Sequence, residues 1–371
     1  MALAGPVARI DLTALLHNYE QVGRLVGSSV RVLAMVKADA YGHGDSDVAR
    51  ALARMRCRDF GVATLPEAAR LRAALSGFDA VRIVVFGGIS AADARGAVDI
   101  DADIATQEPD VVRALAAAGQ SAGREARVHV KVDTGMHRLG AAPAEVAALV
   151  ALANRTRGVR PVALCSHFAM AESVTTAVTA GQLDALLSAA TAVVDGGQSL
   201  PCHMANSAAI LTCAEAHLDM VRPGLMLYGL YPAPELRTRA ELRPVMTLAA
   251  PVVRIFEVGP GEGIGYGHSY RTERPSRIAT LRCGYADGYP RALSNRGTVV
   301  IRGQRAPVVG RVCMDHTMVD VTGLDRIDLD DEAILWGHDP GAADVAAAAE
   351  TISYELVARV GPRVAREVSP E

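Results

Sequence analysis

Val30-Arg31-Val32-Leu33-Ala34-Met35-Val36-Lys37-Ala38-Asp39-Ala40-Tyr41-Gly42-His43-Gly44 is an apolar, β-branched run that stops at one lysine and gives way to a Gly-rich turn. Such a run, bounded by turn signals, predicts a buried strand that delivers the Lys37 amine to the mouth of a pocket. A lysine held there is desolvated, which lowers its pKa and leaves an amine able to condense with a carbonyl. Alone the pattern is weak. A lysine at a strand end more often lays its stem over apolar surface and keeps its charge in water. The rest of the chain decides between the two.

Outward from this strand the same alternation repeats. The strand candidates are Val30–Val36, Phe60–Thr64, Val81–Phe86, Val98–Ala105, Ala126–Val132, Val162–Ser166, Leu200–Met204 and Met220–Arg222. Amphipathic stretches lie between them: Ser46–Arg58, Pro66–Leu75, Glu108–Ala118, Ala144–Asn154 and Thr179–Asp195. Strands alternating with helices build βα units around a parallel sheet, and eight units predict an α/β fold, a (β/α)8 TIM-type barrel over residues 1–239. After Arg239 the character changes. Val245–Val258, Arg277–Leu281, Gly297–Ile301, Pro307–Val312, Met318–Val321 and Ala333–Leu335 are strand-like, and only Asp344–Val357 looks helical. A mainly β C-terminal domain is predicted over residues 240–371, with the boundary near Leu236–Arg243. The first residues of the chain are candidates to pair with it.

Length and composition fit two domains. The 371 residues exceed one ordinary core. Hydrophobic residues make up 50% and charged residues 21%, an ordinary soluble balance. Net charge is −3 with no basic block, so nucleic acid is not an expected partner. The start, Met1 to Pro6, lacks a basic region and a long apolar stretch, and no run of membrane-span length is read, so a cytoplasmic protein without a membrane partner is expected. Six cysteines (Cys57, Cys165, Cys202, Cys213, Cys283, Cys313) form no C-x-x-C pair and read as reduced, mostly buried thiols. No metal site is predicted.

Barrel enzymes place their chemistry at the C-terminal ends of the strands, often with a phosphate site after strands 7 and 8. Here strand 7 is followed by His203-Met204-Ala205-Asn206-Ser207, and strand 8 by Arg222-Pro223-Gly224-Leu225. Ser207 can donate its hydroxyl and its N–H at a helix start, and Gly224 lets backbone approach a phosphate. Each motif alone has a plain reading, an N-cap and a turn. Together with a strand-1 lysine they point to pyridoxal 5'-phosphate (PLP).

Nine motifs in one order then carry a family likeness: Val36 to Gly44, Lys131 to Gly140, Ser166 to Ala169, Asn206 to Ala208, Val221 to Gly224, Gly265 to Gly267, Gly284 to Gly288, Gly310 to Asp315, and Tyr354 to Leu356. The sequence resembles the alanine racemases, PLP-dependent enzymes of fold type III, over nearly its whole length. The resemblance implies an isomerase that interconverts L- and D-alanine and feeds D-alanine to peptidoglycan. It implies that Lys37 holds PLP covalently, and that Tyr41, Asn206, Ser207, Gly224, Leu225 and Tyr354 hold the phosphate through hydroxyls, N–H groups and dipoles rather than a full charge. His167 is expected to pack on the pyridine ring. Arg222 is expected to face the ring nitrogen, with His203 behind it. Arginine stays protonated and only donates, so the nitrogen it faces must accept and stay unprotonated. The ring is then a weaker electron sink, which favours quick reprotonation over transamination.

Racemisation needs a base on each face of the substrate. The resemblance names Lys37 and Tyr266, the second supplied by a partner subunit, and so implies a homodimer with shared sites. A tyrosine is a poor base unless its anion is stabilised. Arg138 and the Met314 backbone are expected to bind the substrate carboxylate, and Tyr285 and Asp315 of the second subunit to line the entrance. In related enzymes the lysine matching Lys131 is carbamylated and orients the arginine. Two departures stand out. Ala365 replaces a usual proline, and His316 replaces a usual glutamine near the entrance. The rival readings are a racemase of serine or a basic amino acid, a decarboxylase of the same fold, and a non-enzymatic PLP-binding protein. Arg222 argues against the decarboxylase, where a glutamate faces the ring nitrogen. Residues 240–371 argue against the single-barrel binding protein.

Overall fold

The computed structural model describes residues 5–172 and 176–369. Eight parallel strands form the first sheet. In chain order they are Arg31–Met35, Asp59–Val62, Arg82–Val85, Asp103–Thr106, Ala126–Lys131, Val159–Cys165, Cys202–His203 and Met220–Val221. The last strand pairs in parallel with the first, Arg31 opposite Met220, so the sheet curls into a barrel. The seam between the two shortest strands is closed by the Asn206–Arg222 bridge and by Arg222 N–H donating to Ala205 O at 2.8 Å. Both bonds lie at the C-terminal mouth, so the seam itself places Asn206 and Arg222. Helices on the outside bury small apolar faces against the strands, for example Val48, Ala49, Ala51 and Leu52 of Asp45–Arg54.

The C-terminal part is mainly β. The 13-residue strand Met246–Val258 pairs with Glu332–Trp336 along its first half and with Ser276–Leu281 along its second, with a register shift between Val252 and Arg254. Strand Val7–Ile10 lies in this sheet too, antiparallel to Met246–Ala249 and parallel to Ala365–Val368. The core includes Trp336, Tyr228 and Tyr289, all essentially without solvent contact.

Several elements differ from the sequence reading. Helix Leu12–Val26, capped by Asp11, was not read from the pattern. Of Val98–Ala105, the first residues end helix Ala94–Asp99, and the strand begins only at Asp103, because Asp101 turns the chain at φ 55°. The strand expected over Pro307–Val312 is instead Gln304–Pro307; Gly310, at φ 77°, sends the following residues into a loop. The single helix expected over Asp344–Val357 is two, Ala342–Ala348 and Ser353–Ala358, split where Glu350 takes φ 57°. Helix Ala177–Asp195 is long and apolar enough by length and composition to cross a bilayer, which the sequence reading did not register. It buries Leu183, Leu186, Ala189 and Val193 on the barrel's outer layer.

Candidate active site

The first barrel strand ends at Met35, and Val36 N–H donates to Gly61 O at 2.9 Å as its last rung. Beyond Lys37 the chain does something the sequence does not announce. Ala38, Asp39, Ala40 and Tyr41 take φ of 53°, 54°, 53° and 56°, a short left-handed turn without glycine. Each such residue costs roughly 1–2 kcal/mol, so the turn must be held from outside. Glu67 accepts from Ala38 N–H (2.7 Å) with one oxygen and from Ala63 and Thr64 N–H (2.7 and 2.9 Å) with the other. Asp39 accepts from Asp45 N–H at 2.9 Å, and Arg366 donates to Gly42 O at 3.1 Å. Gly42 is obligatory, since a Cβ there would lie 2.2 Å from Val357 O. The Thr64–Glu67 capping box is legible in sequence, but its reach to Ala38 is not.

This turn aims Lys37 into a cavity of about 560 Å³ at the barrel mouth. Lys37, Tyr41, Lys131, Arg138, His167, Asn206, Ser207, Arg222, Gly224, Leu225 and Tyr354 all line it, and among the described residues no carboxylate does. Burial lowers the Lys37 pKa, and Arg138 and Arg222 lower it further against a small opposing pull from Glu67. Lys131 is pushed the same way by burial and by the cations Arg222, Arg138 and Lys37. Both amines are thereby biased toward the neutral, nucleophilic form.

Arg222 is fully buried, and desolvation brings its pKa down to about 10. Nη1 donates to His203 Nδ1 (2.8 Å) and His203 O (2.9 Å); Nη2 donates to Ser166 O (2.6 Å), Met204 O (3.1 Å) and His167 Nδ1 (3.2 Å). Among the described hydrogen bonds its Nε–H has no protein acceptor, which leaves one donor for a group in the cavity. Because arginine only donates, His167 Nδ1 must accept and its proton sits on Nε2. Burial and the Arg222 charge hold His167 far below the usual imidazole range, so it stays neutral.

The opposite wall is an anion cradle. Ser207 Oγ accepts from Gly224 N–H (2.9 Å) and Met226 N–H (3.2 Å), so its own O–H is free to donate. Asn206 caps helix Ser207–Thr212 through Ala209 N–H, at 3.0 Å. First-turn N–H groups of this helix and of Leu225–Tyr228 have no partner within their helices. Tyr41 and Tyr354 flank the cradle with ring centroids 6.2 Å apart. Burial raises both phenol pKa values, Tyr354 to about 12, so both remain donors. A Cβ on Gly224 would sit 2.4 Å from the Tyr41 hydroxyl, so only glycine keeps the cradle open.

The remaining expected residues lie apart, on the β domain. Tyr266 stands on a short turn between Gly265 (φ 66°) and Gly267 (φ 68°) and is 70% exposed. Tyr285 N–H donates to Cys313 O (3.0 Å) and Ala286 N–H to Met314 O (3.0 Å), while Arg363 joins Asp287 to Asp315. Tyr285, Met314 and Asp315 thus form one fixed cluster, with Met314 53% exposed. None of these four lines the barrel cavity. Sequence reasoning missed Glu67, described above, and Asp133. The Asp133 carboxylate accepts from Gly135 N–H (3.0 Å), His137 N–H (3.0 Å) and His137 Nδ1 (3.1 Å), shaping the turn that presents Arg138.

A barrel mouth of this kind suits a small phosphorylated carbonyl compound, and fold and site together define the class: barrel enzymes that work through a lysine-anchored aldehyde cofactor. Comparison with known proteins narrows it. Residues 10–232 match the family pattern "Alanine racemase, N-terminal domain" and residues 245–368 match "Alanine racemase, C-terminal domain". The alanine racemase of Halothermothrix orenii is 41% identical over 372 aligned residues, covering 97% of this chain and 96% of that one. The crystal structure of an alanine racemase from D-cycloserine-producing Streptomyces lavendulae superposes with a TM-score of 0.93 at 37% identity, covering 100% of this chain and 98% of that one. That of Bartonella henselae, described with covalently bound pyridoxal phosphate, gives 0.88 at 30% identity, covering 99% and 100%. The chain belongs to the alanine racemase family, a family of PLP-dependent isomerases.

Proposed function

We propose that this protein racemises alanine with pyridoxal 5'-phosphate held on Lys37, at a site completed by Tyr266 of a second copy. The observation that carries the reading is the division just described: a cationic barrel mouth with a depressed lysine, and an exposed tyrosine, Tyr266, on the β domain outside that cavity. The residues fit the cofactor. The cradle at Tyr41, Ser207, Gly224, Leu225 and Tyr354 suits its phosphate, and the spare Nε–H of Arg222 suits a ring nitrogen that accepts. When bound, the cofactor supplies an electron-withdrawing ring that acidifies the substrate Cα–H.

The protein's own part is orientation and proton transfer. Arg138 binds the substrate carboxylate from a turn fixed by Asp133, and the Met314 backbone of the second copy closes the other side. Lys37 Nζ, whose pKa is lowered by burial and by Arg138 and Arg222, takes or returns the Cα proton on one face. Tyr266 Oη does so on the other. The Nε2–H of His167, set by Arg222, is a donor placed to stabilise a phenolate arriving from the partner copy. Lys131 is the site for carbamylation. In this reaction the neutral amine adds to CO2 and releases a proton, and the new anion sits beside Arg138 and Arg222, with no carboxylate among the described lining residues to compete. The product D-alanine serves peptidoglycan synthesis in the cytoplasm.

The test is incubation of PLP-loaded protein with L-alanine, L-serine and L-lysine separately, scored by chiral chromatography. D-alanine should form fastest, without amine product. Faster D-serine or D-lysine would move the substrate assignment, and bound cofactor with no D-product would overturn the reaction.

A further inference from the structure

The contacts of Arg222 continue below the cavity, deep into the barrel. We infer that His129 and Asp103 are positioning residues for Arg222, completing a relay Arg222–His203–His129–Asp103 that sets which guanidinium N–H groups are spent inside the barrel and which one is left for the cofactor. This rests on the reading that Arg222 faces the cofactor ring.

The links are buried, and the first two are short. His203 Nδ1 lies 2.8 Å from Arg222 Nη1, His203 Nε2 lies 2.9 Å from His129 Nδ1, and His129 Nε2 lies 3.4 Å from Asp103 Oδ2. Asp103 and His203 have no solvent contact and His129 almost none. The two imidazoles meet edge to face, 81° apart. One rule then fixes every proton. Arginine cannot accept, so His203 Nδ1 must, and the His203 proton sits on Nε2. That proton needs an acceptor, so His129 Nδ1 carries a lone pair and His129 Nε2 carries the proton toward Asp103. All donors point one way, from the cavity to the carboxylate.

Charge balance gives the same direction. The buried guanidinium touches only neutral acceptors: two imidazoles and the carbonyls of His203, Ser166 and Met204. An uncompensated buried charge is costly. Among the described hydrogen bonds, the carboxylate connected to it is Asp103, through two imidazoles. Burial alone would raise the Asp103 pKa, but bonds from His129 and Arg127 more than offset this and keep it ionised. The strand geometry explains how the relay threads the barrel. Arg127, His129 and Lys131 alternate with Val128 and Val130, so all three share one face and stack in successive layers from Asp103 up to the cavity. Barrel interiors are ordinarily filled by branched apolar side chains in those layers. Here a column of them is polar.

Without His129, the His203 Nε2–H would be buried with no acceptor. His203 could then shift its proton to Nδ1, where it opposes the Arg222 Nη1–H and frees the guanidinium to turn.

The experiment is ring 15N NMR on histidine-labelled, PLP-loaded protein without substrate, joined to steady-state kinetics. In the native chain His129 and His203 should both show protonated Nε2 and bare Nδ1. In His129→Phe the His203 pattern should become mixed, and kcat should fall about tenfold, ~1.4 kcal/mol. KM for alanine and affinity for PLP should stay within about twofold of native. In His129→Gln the amide oxygen can accept from His203, and most of kcat and the single His203 pattern should return. A protonated Nδ1 on either histidine in the native chain overturns the relay. So does a folded His129→Phe protein with native kcat, or a folded His129→Gln protein as impaired as His129→Phe, which would make the role one of packing. If the native chain made no D-alanine, the racemase reading would fall while the tautomers still reported the relay.

Discussion

Gly224→Ala is the most direct probe of the anion cradle. The new Cβ would lie 2.4 Å from the Tyr41 hydroxyl and 3.0 Å from Cζ, about 1 Å inside ordinary contact. Tyr41 cannot yield easily. Its ring packs on Tyr228 (centroids 5.0 Å) and Tyr354 (6.2 Å), and its backbone belongs to the left-handed turn behind Lys37. A shift of the ring would therefore carry the hydroxyl away from a bound phosphate and disturb Tyr354 with it. One hydrogen bond to a charged acceptor is worth about 1.5–3 kcal/mol, and overpacking lowers the stability of the apoprotein by about 1 kcal/mol or more. The expected loss of PLP affinity is that of the hydrogen bond, roughly 10- to 150-fold in Kd. Equilibrium titration of apoprotein with PLP measures it. The double variant with Tyr41→Phe removes the offending oxygen and should bind no worse than Tyr41→Phe alone, closing a coupling cycle. A Kd for Gly224→Ala within about twofold of native would refute the cradle.

Four further outcomes are expected. Lys37→Ala should lose covalent retention of PLP, read as no cofactor mass on the intact chain after borohydride reduction; retained mass would assign another amine. Mixing Lys37→Ala with Tyr266→Phe chains should restore about a quarter of native activity through hybrid dimers with one intact site, whereas inactive mixtures would deny that Tyr266 crosses between copies. Glu67→Gln removes a negative charge that raises the Lys37 pKa. The sign follows: the neutral amine is the base, so the acid limb of kcat against pH should move to lower pH, and movement upward would contradict the assignment. A carbamate on Lys131 should give a 13C signal from labelled bicarbonate that disappears in Lys131→Arg; a surviving signal would place it elsewhere.

Most of the barrel was legible because its strands are short apolar runs separated by helices of the right period. The misses share a cause. Val98–Ala105 reads as a strand because apolar residues alternate with aspartates, and Pro307–Val312 because it holds three valines, while single residues in left-handed conformations, Asp101 and Gly310, redirect the chain. The cavity residues could be named from motif order, but what orients them could not. Glu67 reaches 29 positions back to Ala38, and His129 reaches 74 forward to His203. Such contacts leave no local periodicity. The left-handed turn Ala38–Tyr41 is the clearest case, since nothing in Ala-Asp-Ala-Tyr prefers that conformation and only its surroundings enforce it.

Strand Val7–Ile10 sits between Met246–Ala249 and Ala365–Val368, so both ends of the chain meet in one sheet. Seen this way, the barrel is an insertion into the β domain. During synthesis the barrel strands can close before Ala365–Val368 emerges, because those residues follow the whole barrel in the chain. Until then Val7–Ile10 has an open edge, a template for pairing with another chain. A truncation ending near residue 240 would keep that edge exposed for good, and a barrel fragment would be better begun at Asp11, where the cap of helix Leu12–Val26 lies.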